Sequence, residues 1–523
     1  MKQIFSLLLL FLGLFVQAAN KTKIFTYPLP AIYHQSQLFS LQVSGIAVPV
    51  VDYNPKYDYA EFSMSKGSVK ISVTLPEGTE VNDYYISPRK LAISAVKKGN
   101  QLIFTLVKDA YIIVKINKLK ELVIAADAEE KDKPQSSGKG IFNISSSKYH
   151  ADASGKNLTT EAIQHAIDDA SAWHNGIVYV PAGVYTIGNL NLKSNMSLYL
   201  EGGAVLFFSG HPQDYKVSAR KASQNRNITW WLYTDSGAHH IKIYGRGTID
   251  GNGKYATNKE NNIGNHILAI MHATDFVFDG PIIKESGAWA VIPTRSKNVV
   301  IKNFKLFNRL DMGENDGIDV MESDNVLVQH GIGISLDDPF STKTWTQNTD
   351  LCRNWPGHPL PQNNIVFDDL LSWTYCYAYK IGQGIMQPQT NITFKNSVVY
   401  DAAVAVGVHH KWGTSYVKGV TFDNIEVEKL THQNDDHRTW CVLFMQNGDK
   451  LGSGPISDIM IENMKIYDPG ISPGKIKGVS PATQISNITF KNINMVSLGR
   501  DAETLQEMNV RDTLNYNNIK IKN

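Results

Sequence analysis

The chain has 523 residues, too many for one ordinary domain of roughly 150 residues and too few for a large array. Its 51 Lys+Arg and 49 Asp+Glu leave a formal charge of +2, so there is no global electrostatic footprint for nucleic acid. Hydrophobic residues make up 42%, which excludes wholesale disorder, and three cysteines (Cys352, Cys376, Cys441) fit neither a disulfide scaffold nor a zinc site.

The N-terminus reads as an export signal over residues 1–19. Lys2 gives a short positive region, Ile4 to Val16 run apolar for 13 residues, and Val16-Gln17-Ala18 supplies small residues for cleavage. Thirteen residues fall short of the roughly 20 that span a bilayer, and no later run reaches that length. The expectation is an exported protein with no membrane span, in a periplasm or outside the cell.

Residues 20–128 alternate like strands, as in Val69-Lys70-Ile71-Ser72-Val73-Thr74-Leu75, with turn residues such as Pro76-Glu77-Gly78 between them. No helical period appears, which predicts a small antiparallel β-sandwich. Residues 129–140 are charged, rich in Pro, Gly and Ser, and carry no apolar run; they read as a linker to a second domain over 141–523.

That domain opens with one predicted helix over 160–172. Thr159-Thr160 can cap it, Glu161 suits its positive first turn, Ala162, Ile163, Ala166, Ile167 and Ala170 share a face, and Asn175-Gly176 stops it. Downstream the chain repeats. A small polar residue precedes an apolar-x-apolar triplet, often with Asn or Asp soon after, in Asn298-Val299-Val300-Ile301, Asn325-Val326-Leu327-Val328, Asn364-Ile365-Val366-Phe367 and Asn391-Ile392-Thr393-Phe394. Gly419-Val420-Thr421-Phe422, Asp458-Ile459-Met460-Ile461 and Asn487-Ile488-Thr489-Phe490 continue it, at steps of 27, 39, 27, 28, 39 and 29 residues. A period-2 strand recurring at that interval predicts a parallel β-solenoid, with the helix covering its otherwise unpaired first rung. The two long steps hold excursions at 341–363, with Trp345, Trp355 and His358, and at 431–450, with His432, His437 and Trp440; such excursions are where binding surfaces are usually built.

Chemistry concentrates at Asn315-Asp316-Gly317-Ile318-Asp319 and Leu336-Asp337-Asp338, which flank one solenoid strand. Asp316 and Asp337 are 21 residues apart, about one coil, so they are expected on neighbouring rungs. Paired carboxylates split their pKa values and so supply an acid and a base. Asp337 and Asp338 can face one cleft only if the backbone turns, which Pro339 favours. The same residue types also suit structural Asx turns at solenoid corners, as Asp368-Asp369 do.

With Lys343 shortly after, this pattern resembles the polygalacturonase family (glycoside hydrolase family 28) and its clan partner, the dextranase family (family 49). Val180-Pro181-Ala182-Gly183-Val184-Tyr185, Leu198-Tyr199-Leu200-Glu201-Gly202-Gly203-Ala204 and Gly245-Arg246-Gly247-Thr248-Ile249-Asp250-Gly251 carry the resemblance upstream, over about 140–500 in all. It implies an all-β architecture, a right-handed parallel β-helix behind the small sandwich, and inverting hydrolysis by three aspartates. Asp337 would be the general acid, and Asp316 and Asp338 would hold and deprotonate water, with acid and base about 6.5–9.5 Å apart.

Two departures bear on substrate. Where the family's pectinases carry Gly-His-Gly, this chain has Tyr377-Ala378-Tyr379-Lys380-Ile381-Gly382, so Tyr377 replaces the histidine. Where they carry Arg-x-Lys, it has His409-His410-Lys411, and a neutral imidazole cannot clamp a uronate as a guanidinium does. The candidate substrate contacts are Lys343, Tyr377, Lys380, His409, Lys411 and Trp412. The sparse cations, the aromatic supply (Trp345, Trp355, Tyr379, Trp440) and a sandwich stretch Tyr85-Ile86-Ser87-Pro88-Arg89-Lys90 that resembles dextranases favour a neutral α-glucan such as dextran. Pectin hydrolysis is the alternative, followed by a calcium-dependent lyase and a non-catalytic carbohydrate-binding solenoid. The expectation is a monomer that needs no metal or other cofactor, with polysaccharide as its partner.

Overall fold

The computed structural model describes residues 22–346, 349–431, 438–448 and 450–523; the expected export segment, His432 and His437 lie outside them. No helix among the described residues is long and apolar enough to cross a membrane.

The N-terminal strands form two sheets, of seven and five strands, packed face to face. Their inner faces meet in one core that includes Phe39, Phe62, Ile71, Phe104, Ile112 and Ile124, as period-2 alternation requires. One pairing departs from the expected antiparallel pattern: Glu121–Ala128 runs parallel to Tyr57–Met64. The strand returning from the sandwich thereby enters its centre before the chain leaves for the solenoid. Residues 129–140 follow the flank of the first coils, where Lys133 pairs with Glu201 at 3.1 Å and Lys242 with Asp132 at 3.3 Å.

From Ile141 the chain winds into a parallel β-helix with three ladders per coil. One coil supplies Lys297–Lys302 to the first ladder, Lys305–Phe307 to the second and Ile318–Met321 to the third. The helix Thr160–Ala172 takes the third side of the opening coil and buries Ile163, Ala166, Ile167 and Ala170 in the solenoid core. Two strands, Ile141–Asn143 and Ser154–Leu158, precede it, and neither threonine caps it. Thr159 Oγ1 accepts from Asp152 N–H at 3.0 Å, and Thr160 Oγ1 accepts from Gly188 N–H at 2.6 Å.

The repeated asparagines have a double role. Asn298, Asn325, Asn364, Asn391 and Asn487 all sit at positive φ, between 54° and 56°, a left-handed corner that asparagine tolerates better than bulkier residues. Their amides bridge coils: Asn325 Nδ2 donates to Asn298 Oδ1 at 2.7 Å, and Asn364 Nδ2 to Asn325 Oδ1 at 3.1 Å. Inside, the apolar triplets stack, with Phe367, Phe394 and Phe422 rings 4.7 and 5.2 Å apart and nearly parallel. That spacing is the strand repeat itself.

The outer face of the seven-stranded sheet lies on the second ladder. Tyr57, Tyr59, Tyr111 and Ile113 pack with Phe307, Ile334, Trp373 and Tyr400. Two hydroxyls cross the seam, Tyr57 OH donating to Asn308 O at 2.7 Å and Tyr53 OH to Phe307 O at 2.8 Å. Lys305, fully buried, binds Asp127 at 2.7 Å and Glu61 at 2.8 Å. Burial pushes Glu61 up to about 7, although Lys305 opposes it.

Candidate active site

The site lies where the second ladder hands over to the third. The strand Asp324–Ser335 stops and Phe340–Thr344 begins, so residues 336–339 form a corner that carries both aspartates, with Pro339 at its end. On the preceding rung the segment before Ile318–Met321 makes the matching corner. Backbone bonds from Gly317 N–H to Asp338 O and from Ile318 N–H to Pro339 O, both 2.9 Å, lock the two corners together. Gly317 is required there, since a Cβ would sit 2.4 Å from Pro339 O. The expected stacking of Asp316 against Asp337 is what results: single oxygens of Glu314, Asp316 and Asp337 lie within 4.8 Å of one another.

Asn315 braces the corner. Its Oδ1 accepts from Leu336 N–H at 3.1 Å and Asp337 N–H at 3.3 Å, and its Nδ2 donates to Arg309 O at 2.7 Å. Asn308 Nδ2 in turn donates to Asn315 O at 2.7 Å, and Asn308 O is the acceptor for Tyr57 of the sandwich. The brace therefore runs from the N-terminal domain to the backbone of Asp337.

Two buried lysines sort the carboxylates. Lys380 Nζ is 2.5 Å from Asp338 Oδ2, and Tyr377 N–H donates to Asp338 Oδ1 at 3.2 Å. Burial acts to raise Asp338, but Lys380 and Lys343 outweigh it and hold the carboxyl below the usual range. Asp337 is half-buried with no such ammonium on it, and burial, reinforced by Asp316 and Asp338, pushes it up to about 7. Lys343 Nζ bridges Asp316 Oδ2 at 2.7 Å and Asp319 Oδ2 at 2.9 Å. Burial raises Asp316, and lifts Asp319 to about 8 even though Lys343 and Ser341 Oγ both donate to it. Asp316 Oδ1, buried, has no protein hydrogen-bond partner. One protonated and one ionised carboxyl side by side, with a further carboxylate oxygen turned to the same space, can protonate a leaving group while activating water.

Of the expected substrate contacts, Lys343 and Lys380 stand behind the carboxylates, each 4% exposed, rather than on the cleft surface. Tyr377 is buried, with its OH 3.3 Å from His409 Nδ1, and His409 Nε2 lies 2.9 Å from Asn447 Oδ1. Burial, with Lys380 nearby, drops His409 to about 4, so its imidazole is neutral and both nitrogens are engaged. His410 is fully buried instead of facing solvent, with Nε2 2.9 Å from Gly413 O. Lys411 is half-buried, 4.7 Å over the Trp412 ring, which lies 5.0 Å from Trp345.

The excursion after Lys343 differs from the expected binding surface. Trp355, 5% exposed, packs with Ile292, Met271 and Met321 on the outward face of the preceding third-ladder rungs. Arg295 pins it, donating to the carbonyls of Pro356 and Gly357 at 3.0 Å each. The loop is a cover over one end of the cleft. Its near edge supplies Trp345, stacked 6.2 Å from Trp289.

Sequence reasoning missed Trp289, Lys221 and Glu314, and gave Asp319 no role. Lys343 Nζ sits 4.3 Å over the Trp289 ring, and Lys221 pairs with Glu314 at 2.7 Å beside it. Glu314 adjoins the aspartate motif, but Lys221 and Trp289 lie on other coils with no periodic or spacing signal. Among the described residues two groups have the spacing for a cation, Glu314/Asp316/Asp337 and Asp337/Asp338/Cys376. The second suits one poorly, because burial and Asp338 raise the Cys376 thiol well above its ordinary value and keep it neutral.

Residues 171–360, which include Glu314, Asp316, Asp319, Asp337 and Asp338, match the family described as glycosyl hydrolases family 28. That match is a similarity, over the segment of the chain that holds the site. Relatives include the exo-poly-alpha-D-galacturonosidase of Dickeya chrysanthemi, 24% identical over 442 residues, covering 68% of this chain and 71% of that one. A probable polygalacturonase of Vitis vinifera is 25% identical over 205 residues, and the match spans only 42% of its length and 36% of this chain. Among solved structures, the exopolygalacturonase of Thermotoga maritima superposes with a TM-score of 0.56 at 17% identity, over 69% of this chain and 88% of its own. The family 28 exopolygalacturonase of Yersinia enterocolitica gives 0.51 at 16% identity, over 88% and 96%. Both share the β-helix fold with this chain. The family is an inverting one, yet the Asp316 and Asp337 oxygens approach more closely than the expected 6.5–9.5 Å. The expectation of inversion therefore rests on the similarity to that family and not on this separation.

Proposed function

We propose that the protein hydrolyses an acidic, galacturonate-containing polysaccharide of the pectin type, from one chain end, with inversion. The observation that carries the catalytic part is the opposite displacement of Asp337 and Asp338, neighbours in one corner. Asp337 donates its proton to the glycosidic oxygen as the bond to the anomeric carbon breaks. A water held by Asp338 and Asp316 Oδ1 attacks that carbon from the other side and gives its proton to the carboxylate pair. Lys380 and Lys343 hold Asp338 ionised, and Lys343 opposes the rise that burial imposes on Asp316.

The end-acting part follows from the covered rungs on the N-terminal side of the acids, which leave a sugar chain room only toward the C-terminal coils. The expectation of a neutral glucan has no support in the comparisons, whose named relatives are polygalacturonases. That expectation rests on Lys343, Lys380 and Lys411 as the cations near the cleft; Lys475 and Lys477 lie further along the same ladder. The Trp289–Trp345–Trp412 wall and the neutral His409 favour a dextran-type substrate as the second reading. A polymeric substrate also fits export directed by residues 1–19, which N-terminal sequencing of the mature protein would test.

The deciding experiment is release of reducing sugar from polygalacturonate, methyl-esterified pectin, rhamnogalacturonan and dextran, with product sizes. The expected result is activity on the acidic polymers with monomer or dimer as the early product. Activity on dextran alone would overturn the substrate, and early release of mixed long oligomers would overturn end action.

A further inference from the structure

Beyond the acids, the outward face of the third ladder ends in a pair of lysines. The register runs from Lys380 to Gly407, Gly407 to Leu443 and Leu443 to Lys475, and then, after a shift of one residue between Gly474 and Lys475, from Lys475 to Asp512. The parallel column runs from Gly382 through His409 and Met445 to Lys477. Lys475 and Lys477 flank Ile476, which is fully buried in the core, so both side chains leave on the cleft side. Three rungs of about 4.8 Å put them roughly 14 Å along the axis from the Lys380 rung.

Among the described residues the charge there is unbalanced. Asp512 serves both lysines, 3.7 Å from Lys475 Nζ and 3.1 Å from Lys477 Nζ, and the side chains stay 27% and 41% exposed. Trp440 lies one rung back, its ring 5.6 Å from Lys475 Nζ. On the columns between, His409 is neutral and Leu443 and Met445 are apolar, with Lys411, two residues on from His409, the cation nearest them on that strand. The lysine pair thus lies beyond the His409–Met445 column, at a distance from the catalytic corner.

We propose that Lys475 and Lys477, with Trp440, form a distal subsite for the carboxylate of an acidic sugar several units from the bond being cleaved. Asp512 holds the two ammoniums in place when the subsite is empty and moderates their pull. One rung is close to the length of one pyranose unit, so the site serves a chain of about four sugars or more and is out of reach of a dimer. This rests on the acidic-polysaccharide reading above, on the uncovered side of the cleft.

The test is steady-state kinetics on galacturonate oligomers from dimer to octamer, at low and high salt, for wild type, the double variant Lys475→Met/Lys477→Met, and Asp512→Asn. For the double variant, kcat/KM should fall about tenfold on hexamer and octamer through KM, with kcat and the dimer unchanged. Asp512→Asn should shift the long oligomers the opposite way. Both differences should shrink at high salt, because exposed charges are screened. Equal effects on dimer and octamer, or none on either, would overturn the subsite while leaving the substrate reading intact. Wild type that cleaves no acidic oligomer but does cleave neutral ones would sink the substrate reading, and the subsite with it.

Discussion

Lys380 Nζ and Asp338 Oδ2 are 2.5 Å apart in a fully enclosed contact, and this pair separates Asp338 from its chain neighbour Asp337. Adjacent carboxyls on one corner would otherwise compete for one proton. The buried ammonium stabilises the ionised form of one, leaving the other to be raised by burial and by its anionic neighbours.

Replacement of Lys380 by Met should therefore move the pH profile of kcat on its acid side. Without the ammonium, Asp338 protonates at higher pH and the ionised base is lost sooner, so the acid limb shifts upward and the optimum narrows. The basic limb, set by loss of the Asp337 proton near 7, should move much less. A parallel drop at all pH values would mean that Lys380 is only structural.

Asp337→Asn should retain the fold and lose about 10²–10⁴-fold in kcat, the usual contribution of a positioned proton donor. Its stability carries a second signature. Asp337 and Asp319 are raised to about 7 and 8 in the folded chain, above an unfolded value near 4, so each contributes stability that is complete below about 4 and is lost as pH rises through 7–8. Wild-type Tm should fall between pH 5 and about 8.5. Asp337→Asn should fall less and lie above wild type at the alkaline end. Near-wild-type turnover, or a variant less stable at high pH, would contradict the assignment.

How much of this the sequence could show depended on whether a residue's neighbours are fixed by local pattern. The solenoid was legible because Asn at left-handed corners and apolar triplets repeat with the coil, and both features are demanded by stacking. The aspartate corner was legible for the same reason: a 21-residue separation is nearly one coil, so Asp316 meets Asp337. The lysines were visible but misassigned, because spacing says which rung a lysine occupies and not whether it lies behind the acids or on the cleft. Trp289 and Lys221 reach the site from other coils, and the seam between sandwich and solenoid depends on tyrosines whose partners lie some 250 residues away, as with Tyr57 and Asn308. The excursion after Lys343 was recognised as special by length and aromatic content, but burial of Trp355 against Met271 and Met321 makes it a cover.

Lys343→Met should be among the most damaging single changes. It leaves Asp316 and Asp319 buried without their shared ammonium, and removing one partner of a buried ion pair costs about 3–5 kcal/mol. The loss, read from denaturant unfolding, should be largest above pH 8 and smaller at pH 5, where Asp319 is already protonated. A pH-independent loss would mean that packing against Trp289, not charge, is what Lys343 provides.

Tyr57→Phe tests the brace from the N-terminal domain. The lost hydroxyl unpairs Asn308 O, whose side chain holds Asn315, which in turn holds the backbone N–H groups of Leu336 and Asp337. A buried hydrogen bond of this kind contributes about 1 kcal/mol, so Tm should drop by only a few degrees. The informative readout is kinetic: if the relay positions Asp337, kcat should fall several-fold with KM unchanged, whereas Tyr53→Phe, whose hydroxyl meets Phe307 O outside the relay, should lower stability alike and leave kcat as it was. Equal kinetic effects in the two variants would reduce the sandwich to a scaffold that stabilises the solenoid without reaching its catalytic corner.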